Sequence, residues 1–105
     1  MKNLSSISSR SETTLKNKVM IMIRDEFPEF WCKKVSDRFT SFIPDIVGCF
    51  NPGRFVCIEL KKKGGKTSKG QILNIQKIKE RGGHALISDS LPEIREFLQN
   101  IREIK

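Results

Sequence analysis

With 105 residues, 37% of them hydrophobic, the chain is sized for one domain around a small core. Its 20 Lys and Arg against 12 Asp and Glu leave a net charge of +8, which points to a polyanionic partner through counterion release from phosphates. An anionic membrane surface is the rival partner, but no apolar run is long enough to span a bilayer and no signal-like segment is seen, so a soluble protein in the cytoplasm, acting without a membrane, is expected.

Residues 1–10, MKNLSSISSR, are serine-rich and polar and read as a flexible N-terminal tail, with residues 11–105 as the single folded domain. A helix is expected over about residues 11–26, where Leu15, Val19, Met22 and Ile23 recur at helical spacing. Pro28 closes it. A first strand follows from Phe30 to Val35, then a polar loop. Pro44 introduces a second strand, Asp45 to Phe50, and Asn51-Pro52-Gly53 marks a turn into a third, Arg54 to Lys61. After a Gly-Gly-Lys break, Ser68 as N-cap and Gln71 three residues on form a capping box for a helix carrying Ile72, Ile75 and Ile78. Gly82-Gly83 end it. His84 to Ser88 is a fourth strand. Ser90 with Glu93 repeats the capping box and opens a last helix striped by Leu91, Ile94, Phe97, Leu98 and Ile101. The class is therefore α/β. Three consecutive strands predict an antiparallel meander, and the β-α-β unit predicts a right-handed crossover to a parallel partner. The result is a mixed four-stranded sheet flanked by helices.

Cys32, Cys49 and Cys57 are odd in number and form no CxxC pair, and His84 is the lone histidine. Buried free thiols are expected rather than a disulfide or a zinc site. His84, at a strand start with no evident partner, reads as structural.

The turn at Asn51-Pro52-Gly53 has a further consequence. A three-residue loop sets Phe50 opposite Arg54, and counting back from there sets Asp45 opposite Glu59. Opposed residues share a face, with Cβ atoms about 4.5–5.5 Å apart. Two carboxylates so close must share a proton or bind a cation. Oxygen donors at that spacing suit Mg²⁺ or Mn²⁺. Lys61 projects from the same face as Glu59, two residues on, where an ammonium can orient water or stabilise charge on a phosphate. Lys62, Lys63, Lys66 and Lys69 extend a positive surface beside it. The competing reading is an edge strand blunted by lysines. The coincidence of Asp45, Glu59 and Lys61 on one face favours phosphodiester hydrolysis.

These residues also carry a family resemblance. IPDIVG, followed after the turn by CIELK, resembles the PD-(D/E)XK nuclease signature. GRFVCIELKKKGGKTSKGQ and ERGGHALISDSLPEIREFL resemble its VRR-NUC (virus-type replication-repair nuclease) branch. The resemblance implies a restriction-endonuclease-like αβββαβ core and metal-dependent cleavage of DNA. It implies metal ligands at Asp45, Glu59 and the Leu60 carbonyl, and a water-positioning Lys61. It also implies that Gln71 completes the site, and that a glutamate on the first helix, here Glu12, can reach the metal. It further implies 5′-phosphate and 3′-hydroxyl products. Small stand-alone members look like phage proteins that act as homodimers on branched DNA, similar to Holliday junction resolvases, inside the bacterial host cell. The family usually has glycine just before the IPD-like element, where this chain has Ser41-Phe42. A different loop shape is expected there, bearing on substrate choice more than on chemistry.

Two of these residues have a competing local reading. Glu12 can serve instead as a capping acid paired with Ser9, or favour the helix dipole. Gln71 can bond back to Ser68. Lys33, Lys34 and Arg38 are candidate phosphate contacts, or simply a solvated basic face. Phe30, Trp31 and Phe39 can stack on exposed bases, although aromatics near a strand more often belong to a core. The alternatives to a structure-selective endonuclease are a nicking or restriction-type nuclease without junction preference, and a non-catalytic basic DNA-binding module.

Overall fold

A computed structural model describes residues 4–35, 42–62 and 64–104, with side chains from residue 14 onward. Seven elements follow one another: α1 (Leu4–Glu26), β1 (Trp31–Lys34), β2 (Ile46–Phe50), β3 (Arg54–Leu60), α2 (Lys69–Glu80), β4 (His84–Ser88) and α3 (Leu91–Arg102). The first helix starts at Leu4 rather than near residue 11. The other elements agree with the sequence reading to within about two residues.

The four strands form one sheet in the order β1-β2-β3-β4, antiparallel except for the parallel β3–β4 pair. Alternation along the strands sorts side chains to two faces. Ile46, Val56, Ile58 and Leu60 turn to one face, where they meet Val19, Met22, Ile23 and Phe27 from α1 and its end, and Ile94, Leu98 and Ile101 from α3. Cys57 and Ala85 turn to the other and meet Ile75 of α2, with Val47, Ile78 and Ile87 alongside. Helices thus lie on both faces, and β3 is buried from Val56 to Leu60. Among the described residues no helix is long and apolar enough to cross a membrane.

The hairpin register is the one the turn implied: Phe50 pairs with Arg54 and Ile46 with Ile58. Gly53 closes the turn in the left-handed region at φ 93, donating its N–H to the Phe50 carbonyl at 2.9 Å. Gly82, at φ 90, ends α2 in a Schellman arrangement, with Gly83 N–H bonded to Ile78 O and Gly82 N–H to Lys79 O. The capping box at Ser68 and Gln71 is complete. The expected second box is not. Ser90 Oγ accepts from Glu93 N–H at 3.2 Å, but the Glu93 carboxylate accepts from the Ser88 hydroxyl, and Ser88 Oγ accepts from Ser90 N–H in its place. Ser88, almost fully buried, takes the bond that a box would give to Glu93.

All three cysteines are free, but only Cys57 is buried; Cys32 and Cys49 are half-exposed. This corrects the expectation of three buried thiols. Cys32 lies on the edge strand β1 and Cys49 on β2 beside it, where covering is incomplete. His84 pairs with Val56 and so lies on the face of Val56, away from that of Glu59.

Candidate functional site

The site forms where β2 begins, β3 ends and α2 starts. The register sets Asp45 beside Glu59, one step past the Ile46–Ile58 pair. The Asp45 carbonyl accepts from Val35 N–H at 2.7 Å, so its backbone already belongs to the β1–β2 ladder. Its side chain curls toward β3, where Oδ2 accepts from Leu60 N–H at 2.8 Å. Its other oxygen faces Lys16 of α1, 3.8 Å from the ammonium. Glu59 is 7% exposed. Its Oε2 accepts from Gln71 Nε2, across the gap between β3 and the first turn of α2.

Gln71 makes both the capping contact and a contact to Glu59. Its Oε1 accepts from Ser68 N–H at 3.0 Å and closes the capping box, while its amide nitrogen fixes Glu59. Capping and site-building use opposite ends of one amide.

A cleft of about 190 Å³ opens over Glu59, lined by Lys61, Lys62, Gly65, Lys66, Thr67 and Gln71, with the Leu60 backbone at its wall. Lys61 lies just past β3, its N–H bonded to the Ser88 carbonyl at 3.1 Å, so the strand direction carries through to it. Lys62 and Lys66 stand exposed at the rim. Lys69 is exposed in the first turn of α2, and Lys33 and Lys34 are exposed on the far strand β1. Lys63 and Arg38 lie outside the described residues. So does the side chain of Glu12, although its backbone falls within α1.

Lys16 was not singled out by the sequence reading, although the signal was present. It follows Glu12 by four residues, so it extends from the same side of α1. The sequence argument left a shared proton or a bound cation as the ways for two carboxylates to coexist. The structure supplies separate partners: the Leu60 amide and Lys16 for Asp45, and Gln71 for Glu59.

Phe42 stands where the resemblance calls for glycine, and it takes a backbone that glycine usually serves, at φ 66. Asn74 Nδ2 donates to its carbonyl at 3.0 Å. Its ring lies on Gly70 so closely that a Cβ there would come within 2.6 Å of it. The loop entering β2 is thus pinned to the start of α2. Of the aromatics, Phe30 is core, stacked on Phe50 with centroids 4.5 Å apart. Trp31 is 61% exposed. Phe39 lies outside the described residues.

The donor set suits a hard divalent ion. It is all oxygen: two carboxylates on adjacent strands and the Leu60 carbonyl, beside a cleft with room for water. Among the described residues no three acid, histidine or cysteine side chains converge. The two-carboxylate set matches the habit of Mg²⁺, which keeps several waters and takes one or two carboxylates.

No protein-family model matches this sequence, and no curated protein matches it. A solved structure described as a "VRR_NUC domain" does, with a TM-score of 0.68 at 19% identity, covering 85% of this chain and 95% of that one. The chain has the VRR_NUC fold. The strand order and the β3–α2–β4 crossover that carry the candidate residues are part of the element order expected for that fold. Because the VRR_NUC neighbour is covered almost end to end, the likeness is to a whole domain rather than to a shared fragment.

Proposed function

We propose that the protein is a metal-dependent deoxyribonuclease that hydrolyses phosphodiester bonds, selective for branched DNA such as four-way junctions and acting as a homodimer. The observation that carries this reading is Glu59, a nearly buried acid tied to Gln71, in register with an Asp45 anchored on the next backbone amide. A basic domain that only bound DNA would gain nothing from two acids set in register on adjacent strands, one of them lining its positive cleft. The VRR_NUC fold adds weight to the nuclease class.

Asp45, Glu59 and the Leu60 carbonyl would hold Mg²⁺ or Mn²⁺, which when bound supplies Lewis acidity to the phosphate and an acidified water. The chain's own residues do the rest. Leu60 N–H fixes the Asp45 carboxylate, and Gln71 fixes that of Glu59, so neither must reorganise as charge develops. Lys61 directs its ammonium to the attacking water or to the phosphate oxygens. Lys62 and Lys66 draw the backbone of the DNA to the rim.

The test is a cleavage panel of four-way junction, splayed arm, flap and linear duplex with Mg²⁺, Mn²⁺ or EDTA, run on the wild type and on Asp45→Asn. Cleavage is expected with either metal, strongest on the junction, and lost in Asp45→Asn while DNA binding survives or tightens. Metal-dependent cleavage that persists in Asp45→Asn overturns the site.

A further inference from the structure

The sheet face that carries Glu59 continues, at its far end, into a row of side chains that the site does not use. Trp31 pairs with Cys49, and Cys49 with Phe55, so the three point the same way across β1, β2 and β3. Phe55, Cys57 and Glu59 alternate onto that face along β3. Helix α2 packs against the inner part of it through Ile75, which meets Cys57 and Ala85. The outer part stays open, leaving Trp31 61% and Phe55 44% exposed. Two rings thus stand about 10 Å apart, two strand spacings, with a small cysteine between them. From Cys49 to Asp45 along β2 is about 13 Å, the length of roughly four stacked nucleotides.

We infer that this row is a stacking platform for unpaired bases of the DNA whose backbone runs to the carboxylates. Charge selects the occupant. Lys33 follows Trp31 on the same face and is exposed, and Lys34 is exposed beside it. Lys77 is exposed on the flank of α2 shared by Gly70 and Asn74, which hold Phe42 toward β2. Aromatic rings between lysines match single-stranded nucleic acid, where bases stack and phosphates need cations. A second copy of this chain fits less well. Lysines on an edge strand oppose pairing with another strand, and lysine is depleted from the centres of protein interfaces.

The choice of DNA rests on the proposed nuclease reading, but the test does not need cleavage. Trp31 is the only tryptophan and the chain has no tyrosine, so intrinsic emission reports this position alone. The wild-type protein in EDTA is titrated with oligo(dT), splayed-arm DNA and blunt duplex. Quenching by oligo(dT) and the splayed arm, and little by blunt duplex, is expected. With labelled oligo(dT), Trp31→Ala weakens binding by about 5-fold or more, and Trp31→Phe restores most of it. Emission that stays unmoved while oligo(dT) binds overturns the platform. So does emission that shifts with protein concentration without DNA, which would put a second copy on this face. Quenching without any metal-dependent cleavage leaves the platform standing and removes the nuclease reading.

Discussion

On the proposed reading, a metal ion held by Asp45 competes with Lys16 for that carboxylate. Its ammonium sits 3.8 Å from Asp45 Oδ1, and both side chains are about a quarter exposed. A half-screened pair of this kind contributes at most about 1 kcal/mol. Lys16→Met should therefore lower the Mn²⁺ concentration for half-saturation of the DNA-free protein by up to about 5-fold, read by isothermal titration. An unchanged or weaker affinity would show that Lys16 does not compete. Cys57, on the α2 face of the sheet with Glu59, offers a test by pH. Burial, with the Glu59 carboxylate adding to it, pushes its thiol from 9.0 up to about 11. The folded chain then holds this proton more tightly than the unfolded one. Stability from Cys57 is whole below pH 9.0 and lost as pH rises toward about 11. Urea melts across that window should show a steeper loss in the wild type than in Cys57→Ala. Equal slopes would refute the assignment. The carboxylate pair was legible in the sequence because a turn fixes register. Lys16 was missed because the stripe of α1 was read for apolar residues and one acid only.

At the scale of elements, each strand and helix type could be read from period, proline and cap. The start of α1 could not: Leu4 and Ile7 are too sparse among serines to mark a stripe, yet the helix runs through them. The incomplete box at Ser90 was equally hidden, because it depends on Ser88, a strand residue that only the end of β4 brings to the cap. Gly48, in the middle of β2, is explained by packing that no local pattern shows. A Cβ there would lie 2.4 Å from the Trp31 carbonyl, 2.6 Å from the Phe30 ring and 2.7 Å from Cys32 Cβ. The ring could swing away, but the carbonyl is fixed by the β1–β2 pairing. Gly48→Ala should cost about 1–3 kcal/mol through forced displacement of β1, seen as a lower urea midpoint with an unchanged m-value. A neutral Gly48→Ala would mean that β1 is held loosely. Trp31 would then be a poor platform.

For the whole molecule, the sheet order and the parallel β3–β4 pair followed from chain order and the crossover rule, and the VRR_NUC likeness agrees with them. How many copies act together is a property that no single chain records. The described residues hold one pair of opposed acids in a body of about 48 × 32 × 24 Å. Resolving a four-way junction takes two cuts on opposing strands, and a two-fold dimer supplies two sites related by the symmetry of the junction. Each copy carries +8, so association without DNA works against self-repulsion that salt screens. Raising salt should therefore tighten the dimer in sedimentation equilibrium, while it weakens DNA binding. Mixing wild type with excess Asp45→Asn should form mixed dimers that nick one strand of a junction and leave the other intact. Only monomer in sedimentation, with paired cuts retained, would sink the dimer. So would a mixture that lowers both cuts equally without accumulating nicked product.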